Sequence, residues 1–322
     1  MTATVEQEKA TGQTSGSRGT AFVLLALGNV FWAGTYTAGK IALRQLSPIE
    51  LNTLRFTIAA LLLMPVLIRA RHQIPLDRRS LFMLAQLSLL GFVLNKIFEY
   101  TGLALSTASD VALLIATESL FTALLSWTIL HERVTRSGVA ALIIGLAGAY
   151  LIVERGFAPN LGSGGSMRVL GDLLVILSLL IESAYTIKGK TALAQLSPLL
   201  ITSATIVGSL FFWVPAGIAA VAHSGWPHLS LVSSLAVLYM AVIATVIGYW
   251  LWFRALSLVD ASAAAPTLFI QPLLGALIAV WLLHDTLTWA TLLGGALIVA
   301  SLLLVVRASR QPPLTPLSEP VP

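Results

Sequence analysis

The sequence predicts an all-α integral membrane protein: ten transmembrane helices arranged as two inverted five-helix repeats. Three observations predict it. Of 322 residues, 57% are hydrophobic and only 10% are charged, against roughly 25% charged in a soluble domain, and mean hydropathy is +0.88. Ten apolar runs follow one another between two polar tails, each close to the about 20 residues that cross a bilayer. Gly39–Pro48 returns as Gly189–Pro198, with eight of ten positions identical at an offset of 150.

Residues 1–18, rich in Thr, Ser, Gly and Glu, are expected to form a disordered cytoplasmic tail. Glu6 and Glu8 interrupt the positive charge that a cleavable signal peptide would carry. The first repeat, 19–154, contains the runs 20–44, 48–69, 80–103, 107–130 and 136–154. A linker loop, 155–169, follows, with Gly156, Gly162, Gly164 and Gly165. The second repeat, 170–307, contains 170–194, 198–222, 231–256, 260–283 and 288–307. Ser47-Pro48, Ser197-Pro198 and Trp226-Pro227 punctuate the gaps. In the tail 308–322, Pro312, Pro313, Pro316, Pro320 and Pro322 oppose a helix.

With the N-terminus in the cytoplasm, thirteen of the 19 Lys and Arg fall on the inner side and four (Lys40, Arg44, Arg155, Arg168) on the outer side. Arg55 and Lys96 lie within helices. That bias places both termini in the cytoplasm. A second echo, Leu130-His131-Glu132 against Leu283-His284-Asp285, supports the duplication. Five helices per repeat is an odd number, so the second half enters the membrane upside down. Secondary transporters recur in this form, and channels use it too.

The absence of Cys, and of any H-x-x-H spacing among His72, His131, His223, His228 and His284, leaves no visible metal-ligand set. No metal, no cofactor and no nucleic-acid partner is expected, the last because no soluble basic patch carries aromatic platforms.

Several motifs share one resemblance. They are Asn29-Val30-Phe31-Trp32-Ala33-Gly34 in the first helix, Pro48-x-Glu50 with Arg55-Phe56 in the second, Ala-Leu-Ser at 104–106 and 255–257, and the helix-end acids Glu132 and Asp285. Over about 20–307 the chain resembles the drug/metabolite transporter superfamily, in its EamA-type branch with two five-helix repeats. One departure is Ser119, beside Glu118, where the family often has proline as at Pro272. A kink in the fourth helix is therefore not assumed. The resemblance implies a secondary transporter of a bacterial inner membrane. It would export small metabolites by alternating access through a central cavity, with amino acids, drugs and nucleotide sugars all within its range.

Ionisable residues at bilayer depth need a reason to be there. At 1.5 Å per residue, Glu118 and Gln271 lie about 16 Å into the fourth and ninth runs. Glu182 and Trp32 lie about 18 Å into the sixth and first. These four are candidate substrate-binding residues, joined by Tyr36 and Tyr185 on the same helix faces as Trp32 and Glu182. Glu118 and Glu182 suit a substrate ammonium or a proton, which makes protons a candidate coupling partner beside the small-molecule substrate and the surrounding lipid. Tyr100, Trp250 and Phe269 are candidate walls. Arg55, Lys96, Glu99 and Asp110 form a candidate gating or ion-pair network in the outer half.

Blander expectations attach to other residues. Glu132 and Asp285 read as caps on the helices that follow them. Lys40 and Lys190 read as snorkelling anchors, and Trp226 and Trp289 as an interfacial belt. Gly34, Ala38, Gly39, Gly294 and Gly295 read as close helix contacts. A midplane layer with carboxylates and no cation argues against phosphate-bearing substrates and for amino-acid export, similar to the YddG-like exporters of aromatic and neutral amino acids. Efflux of drug-like metabolites is the alternative. An intramembrane enzyme would need a nucleophile–base or metal constellation, and a channel a continuous polar face; neither is visible.

Overall fold

A computed structural model describes residues 19–74, 77–118, 120–121, 124–125, 136–154, 165–193, 195–256 and 270–309. The tails 1–18 and 310–322, and the positions Ser119, Glu132, Arg155 and Phe269, lie outside the described residues. Among the described residues every regular element is helical. The helices are α1 (Gly19–Ala42), α2 (Pro48–Ala70), α3 (Arg78–Leu105), α4 (from Ala108), α5 (Arg136–Glu154), α6 (Gly165–Leu193), α7 (Pro198–Ser224), α8 (Leu231–Leu256), α9 (Ile270–Leu283) and α10 (Trp289–Ser309).

Six helical segments are long and apolar enough to cross a membrane: Gly19–Ala42, Pro48–Gln73, Arg78–Leu105, Ser166–Gly189, Pro198–Ser224 and Leu231–Trp252. Shorter apolar helices occupy Ile143–Val153, Ile270–Leu283 and Trp289–Ser301. Large apolar side chains such as Phe211, Trp281 and Leu231 stand exposed on the outside of the bundle. Water would not tolerate so many, whereas lipid does.

Local chemistry sets the helix starts. Ser47 and Glu50 form a reciprocal capping box with Pro48 at the first turn. Asp77 accepts from the Ser80 amide at 3.0 Å, Thr107 from Asp110 at 3.1 Å and Ser230 from Ser233 at 3.2 Å. α6 begins at Gly165, before the apolar run does. Arg168 holds that first turn, pairing with Asp172 one turn on at 2.6 Å and donating to the carbonyls of Ile152 and Val153 at the end of α5.

Three helices depart from regularity. α3 contains a π-helical stretch, Ser88–Leu94, and α8 contains another, Tyr239–Ile247. In each, a carbonyl accepts an indole N–H: Phe92 from Trp213 at 2.8 Å, and Ala244 from Trp32 at 2.8 Å. Wide turns loosen the ladder, and these tryptophans occupy the exposed acceptors. α4 tightens into a 3₁₀ turn at Ile115–Thr117, immediately before Glu118. The irregularity that proline brings elsewhere is thus present without it.

The main packing pairs are α2–α7, α5–α10, α4–α9, α3–α6 and α1–α8, and each joins the first half of the chain to the second. Backbones meet where glycines allow it. A Cβ on Gly102 of α3 would lie 2.5 Å from the Gly171 carbonyl of α6, and one on Gly294 of α10 would lie 2.5 Å from the Gly148 carbonyl of α5. Gly34 and Gly39 leave room for Tyr239 and Tyr100.

The C-terminal end of α1 and the N-terminal end of α6 sit at the same end of α3. Lys40 donates to the carbonyls of Leu103, Ala104 and Ser106 there. Ser106 donates to Asp172 of α6. Lys188, near the far end of α6, bonds Gln86 in the first part of α3 at 3.1 Å. α1 and α6 therefore run in opposite directions.

Candidate functional site

The interior carries a charged cluster. The π-stretch of α3 ends at Leu94, and Asn95 and Lys96 follow at once. Asn95 donates to the Ser178 carbonyl of α6 at 2.9 Å, which fixes α3 against α6. Lys96 Nζ donates to Glu99 Oε2 at 2.6 Å, one turn on. The same ammonium lies 4.0 Å from Glu182 Oε2 on α6. Glu182 Oε2 is buried and has no hydrogen-bond partner among the described residues. Glu118 on α4 is close enough to Glu182, Lys96 and Glu99 to interact electrostatically with all three. Its backbone carbonyl accepts from Ser183 of α6 at 3.1 Å. Tyr36 of α1, 3% exposed, is within electrostatic reach of Glu99, Glu118 and Glu182.

Arg55 of α2 stands beside this group with neutral partners. Its Nε donates to Thr245 Oγ1 at 2.8 Å and its Nη1 to the Tyr100 hydroxyl at 2.6 Å. The guanidinium also lies over the Phe56 and Tyr100 rings at 5.2 and 5.4 Å, a favourable placement for a desolvated cation. Thr245 reaches Arg55 from within the π-stretch of α8.

An aromatic chain adjoins the cluster. Trp32 meets Tyr249 at 5.4 Å and Trp252 at 5.5 Å between ring centroids. Tyr249 meets Phe92 at 5.4 Å, and Phe92 meets Tyr185 at 5.7 Å. Tyr185 packs flush against Gly91, where a Cβ would lie 2.7 Å from its ring.

The residues singled out from sequence thus fall into groups. Glu118, Glu182, Tyr36, Lys96 and Glu99 come together. Tyr185 and Trp32 lie along the aromatic chain, with Trp32 committed to α8. Gln271 makes no hydrogen bond or ion pair among the described residues, and sits on α9 one turn before Gly275, whose neighbours are Ala33 and Ala112. Asp110 belongs elsewhere: its partners include Arg168 at 3.6 Å and Thr291 at 3.5 Å, because the start of α4 abuts the starts of α6 and α10. The expected wall residue Trp250 is 47% exposed on the outer surface, and its neighbours Tyr249 and Trp252 point inward instead.

Three further expectations need correction. Lys40 does not snorkel; it caps the carbonyls that end α3. Asp285 caps α4, accepting the Ser109 amide and hydroxyl at 3.0 Å each. Thr288 caps the following helix in its place. The polar layer also holds a cation, Lys96, paired with Glu99, so the argument against phosphate-bearing substrates from a layer without a cation does not stand. Sequence reasoning passed over Asp172, Thr245, Tyr249 and Phe92. Only Asp172 had a local signal, its four-residue spacing from Arg168.

Apolar helices with a lipid-type exterior and a buried charged interior define a multi-pass membrane protein. The model of the EamA-like transporter family matches residues 19–154 and again 169–307, and the chain belongs to that family. It is 28% identical over 290 residues to an uncharacterized transporter of Archaeoglobus fulgidus, covering 90% of this chain and 98% of the relative. It is 24% identical over 286 residues to a probable amino-acid metabolite efflux pump of Salmonella typhimurium, covering 85% and 90%. A similarly named pump of Escherichia coli is 24% identical over 293 residues, covering 87% and 92%. A solved crystal structure at 20% identity shares the fold with a TM-score of 0.60, covering 91% of this chain and 99% of its own.

Proposed function

We propose that this transporter exports small metabolites, amino acids first among them, by alternating access through a cavity between two inverted five-helix repeats. The observation that carries the reading is the cluster of Lys96, Glu99, Glu182 and Glu118, held where the two halves meet, with one carboxylate oxygen of Glu182 accepting no hydrogen bond among the described residues. Two cations, Lys96 and Arg55, stand against three carboxylates. A carboxylate in a low-dielectric interior without a full partner suits an ammonium, including that of a zwitterion, or a proton. The names of the Salmonella and Escherichia relatives agree with amino acids.

Several features support ten spans and the inverted repeat. The family model fits twice. Pro65 and Pro215 interrupt α2 and α7 at the same 150-residue offset as the repeated decapeptide. The π-stretches fall in the third and eighth helices. A two-fold exchange of halves would pair α2 with α7, α4 with α9 and α5 with α10, and would convert α3–α6 into α8–α1. Those are the pairs found. The domains proposed are 19–154 and 170–307, joined by the linker, in a bacterial inner membrane with both termini cytoplasmic. A cysteine placed at 162 should label from outside, and one at 75 only from inside; the reverse at both sites overturns this topology.

Counterflow of radiolabelled aromatic and neutral amino acids in proteoliposomes tests the function. Wild-type protein should exchange them. Glu118→Gln, nearly isosteric, should fold normally yet lower exchange or flatten its pH dependence. Wild-type exchange by Glu118→Gln from mildly acid to mildly alkaline pH would remove Glu118 from the site.

A further inference from the structure

Lys96 and Glu182 lie side by side with unused hydrogen-bonding capacity. The Lys96 ammonium has three N–H donors, and among the described residues its one hydrogen bond goes to Glu99. Glu182 Oε2 accepts none. The two atoms are 4.0 Å apart, too far for a hydrogen bond and too close to be independent. An unaccepted carboxylate oxygen in an apolar interior is costly, and helix packing could have closed this gap by a small shift. Gly102 already brings α3 to backbone contact with α6, and Gly91 lets the Tyr185 ring of α6 pack flush on α3, on either side of Lys96.

An α-amino acid presents the complement. From standard bond lengths its ammonium nitrogen and carboxylate oxygens lie roughly 3 Å apart. With its ammonium on Glu182 and its carboxylate on Lys96, both hydrogen bonds take ordinary lengths across a gap of this size. We propose that Lys96 and Glu182 are the two poles of a subsite for the backbone head group of a free amino acid, with Lys96 reading the carboxylate. This rests on the amino-acid reading above and narrows it. The site selects free α-amino acids and rejects their esters, their amides and simple amines. Tyr185, one turn beyond Glu182, and its neighbours Phe92 and Tyr249 adjoin the head-group position and suit an aromatic side chain.

Binding to the purified full-length protein in detergent tests this, using four probes: L-phenylalanine, its methyl ester, 3-phenylpropionate and phenethylamine. Wild-type protein should bind L-phenylalanine at least tenfold more tightly than the other three. Lys96→Gln combined with Glu99→Gln, which keeps the pair neutral, should bring L-phenylalanine to the level of the methyl ester and leave the ester unchanged. Glu182→Gln should bring it to the level of 3-phenylpropionate. Lys96→Arg should retain the preference for the free acid. Melting temperatures confirm that each variant is folded. Wild-type protein that binds the ester as tightly as the free acid overturns the assignment without any variant. So does a double variant that keeps the tenfold ratio. In both cases the amino-acid reading survives. Folded wild-type protein that binds none of the four probes overturns both.

Discussion

Two buried charge networks in this molecule are built alike and finished differently. The one at the helix ends around Arg168 is complete. Arg168 serves Asp172, Asp110 and the carbonyls of Ile152 and Val153; Ser106 serves Asp172; Lys40 closes α3; and Asp285 closes α4. The one in the middle of the bundle is incomplete, with Lys96 satisfied on one side by Glu99 and Glu182 Oε2 unaccepted. A satisfied network is what a scaffold needs, since each unpaired group would cost stability. The unsatisfied one is where the proposed head-group subsite lies.

The contrast is broken most forcefully at Arg168. Arg168→Gln removes the cation that lies 2.6 Å from Asp172 and 3.6 Å from Asp110, and breaking this buried pair should cost about 3 kcal/mol, read as a lowered melting temperature in detergent. Lys40→Met uncaps three carbonyls at the end of α3 and should cost about 1.5 to 3 kcal/mol by the same measurement. Trp32→Phe keeps the aromatic contacts but leaves the Ala244 carbonyl without its indole donor, at about 0.5 to 1.5 kcal/mol. Glu182→Gln sharpens the comparison from the other side: a smaller loss of stability is expected, because only a 4.0 Å ion pair with Lys96 is lost, although transport should fall at least tenfold. Stability that drops as far in Glu182→Gln as in Arg168→Gln would erase the distinction.

The smallest effect belongs to Asp77, at the exposed start of α3. Hydrogen bonds from the Ser80 side chain and backbone hold its carboxyl below the usual carboxylate range. A depressed value contributes stability above the unfolded-state pKa, and that contribution is lost as pH falls through the folded value. Asp77→Asn should remove this dependence, with unfolding between neutral and acid pH as the measurement.

Part of the site was legible in the sequence because local spacing carries it. Lys96 and Glu99 are one turn apart, and helical rise puts Glu118 and Glu182 at matching depth. Asp110 was grouped with the wrong cluster because depth alone does not say which neighbour a side chain meets. Trp250 was preferred over Tyr249 for a related reason: a single residue's step around a helix separates lipid from interior, and the π-stretch Tyr239–Ile247 shifts that count.

The sequence by itself determined the membrane class, the succession of apolar helices and the two halves that the family model matches. These follow from composition, periodicity and local hydrogen bonding, which act over a few residues. Only the tertiary structure decided that Lys96 of α3 faces Glu182 of α6 across 4.0 Å. It also decided that Asp285 caps α4, and that Trp32 and Trp213 occupy the carbonyls of two π-stretches. Each joins residues far apart in the chain, and each depends on how glycine contacts and wide helical turns set one helix against another.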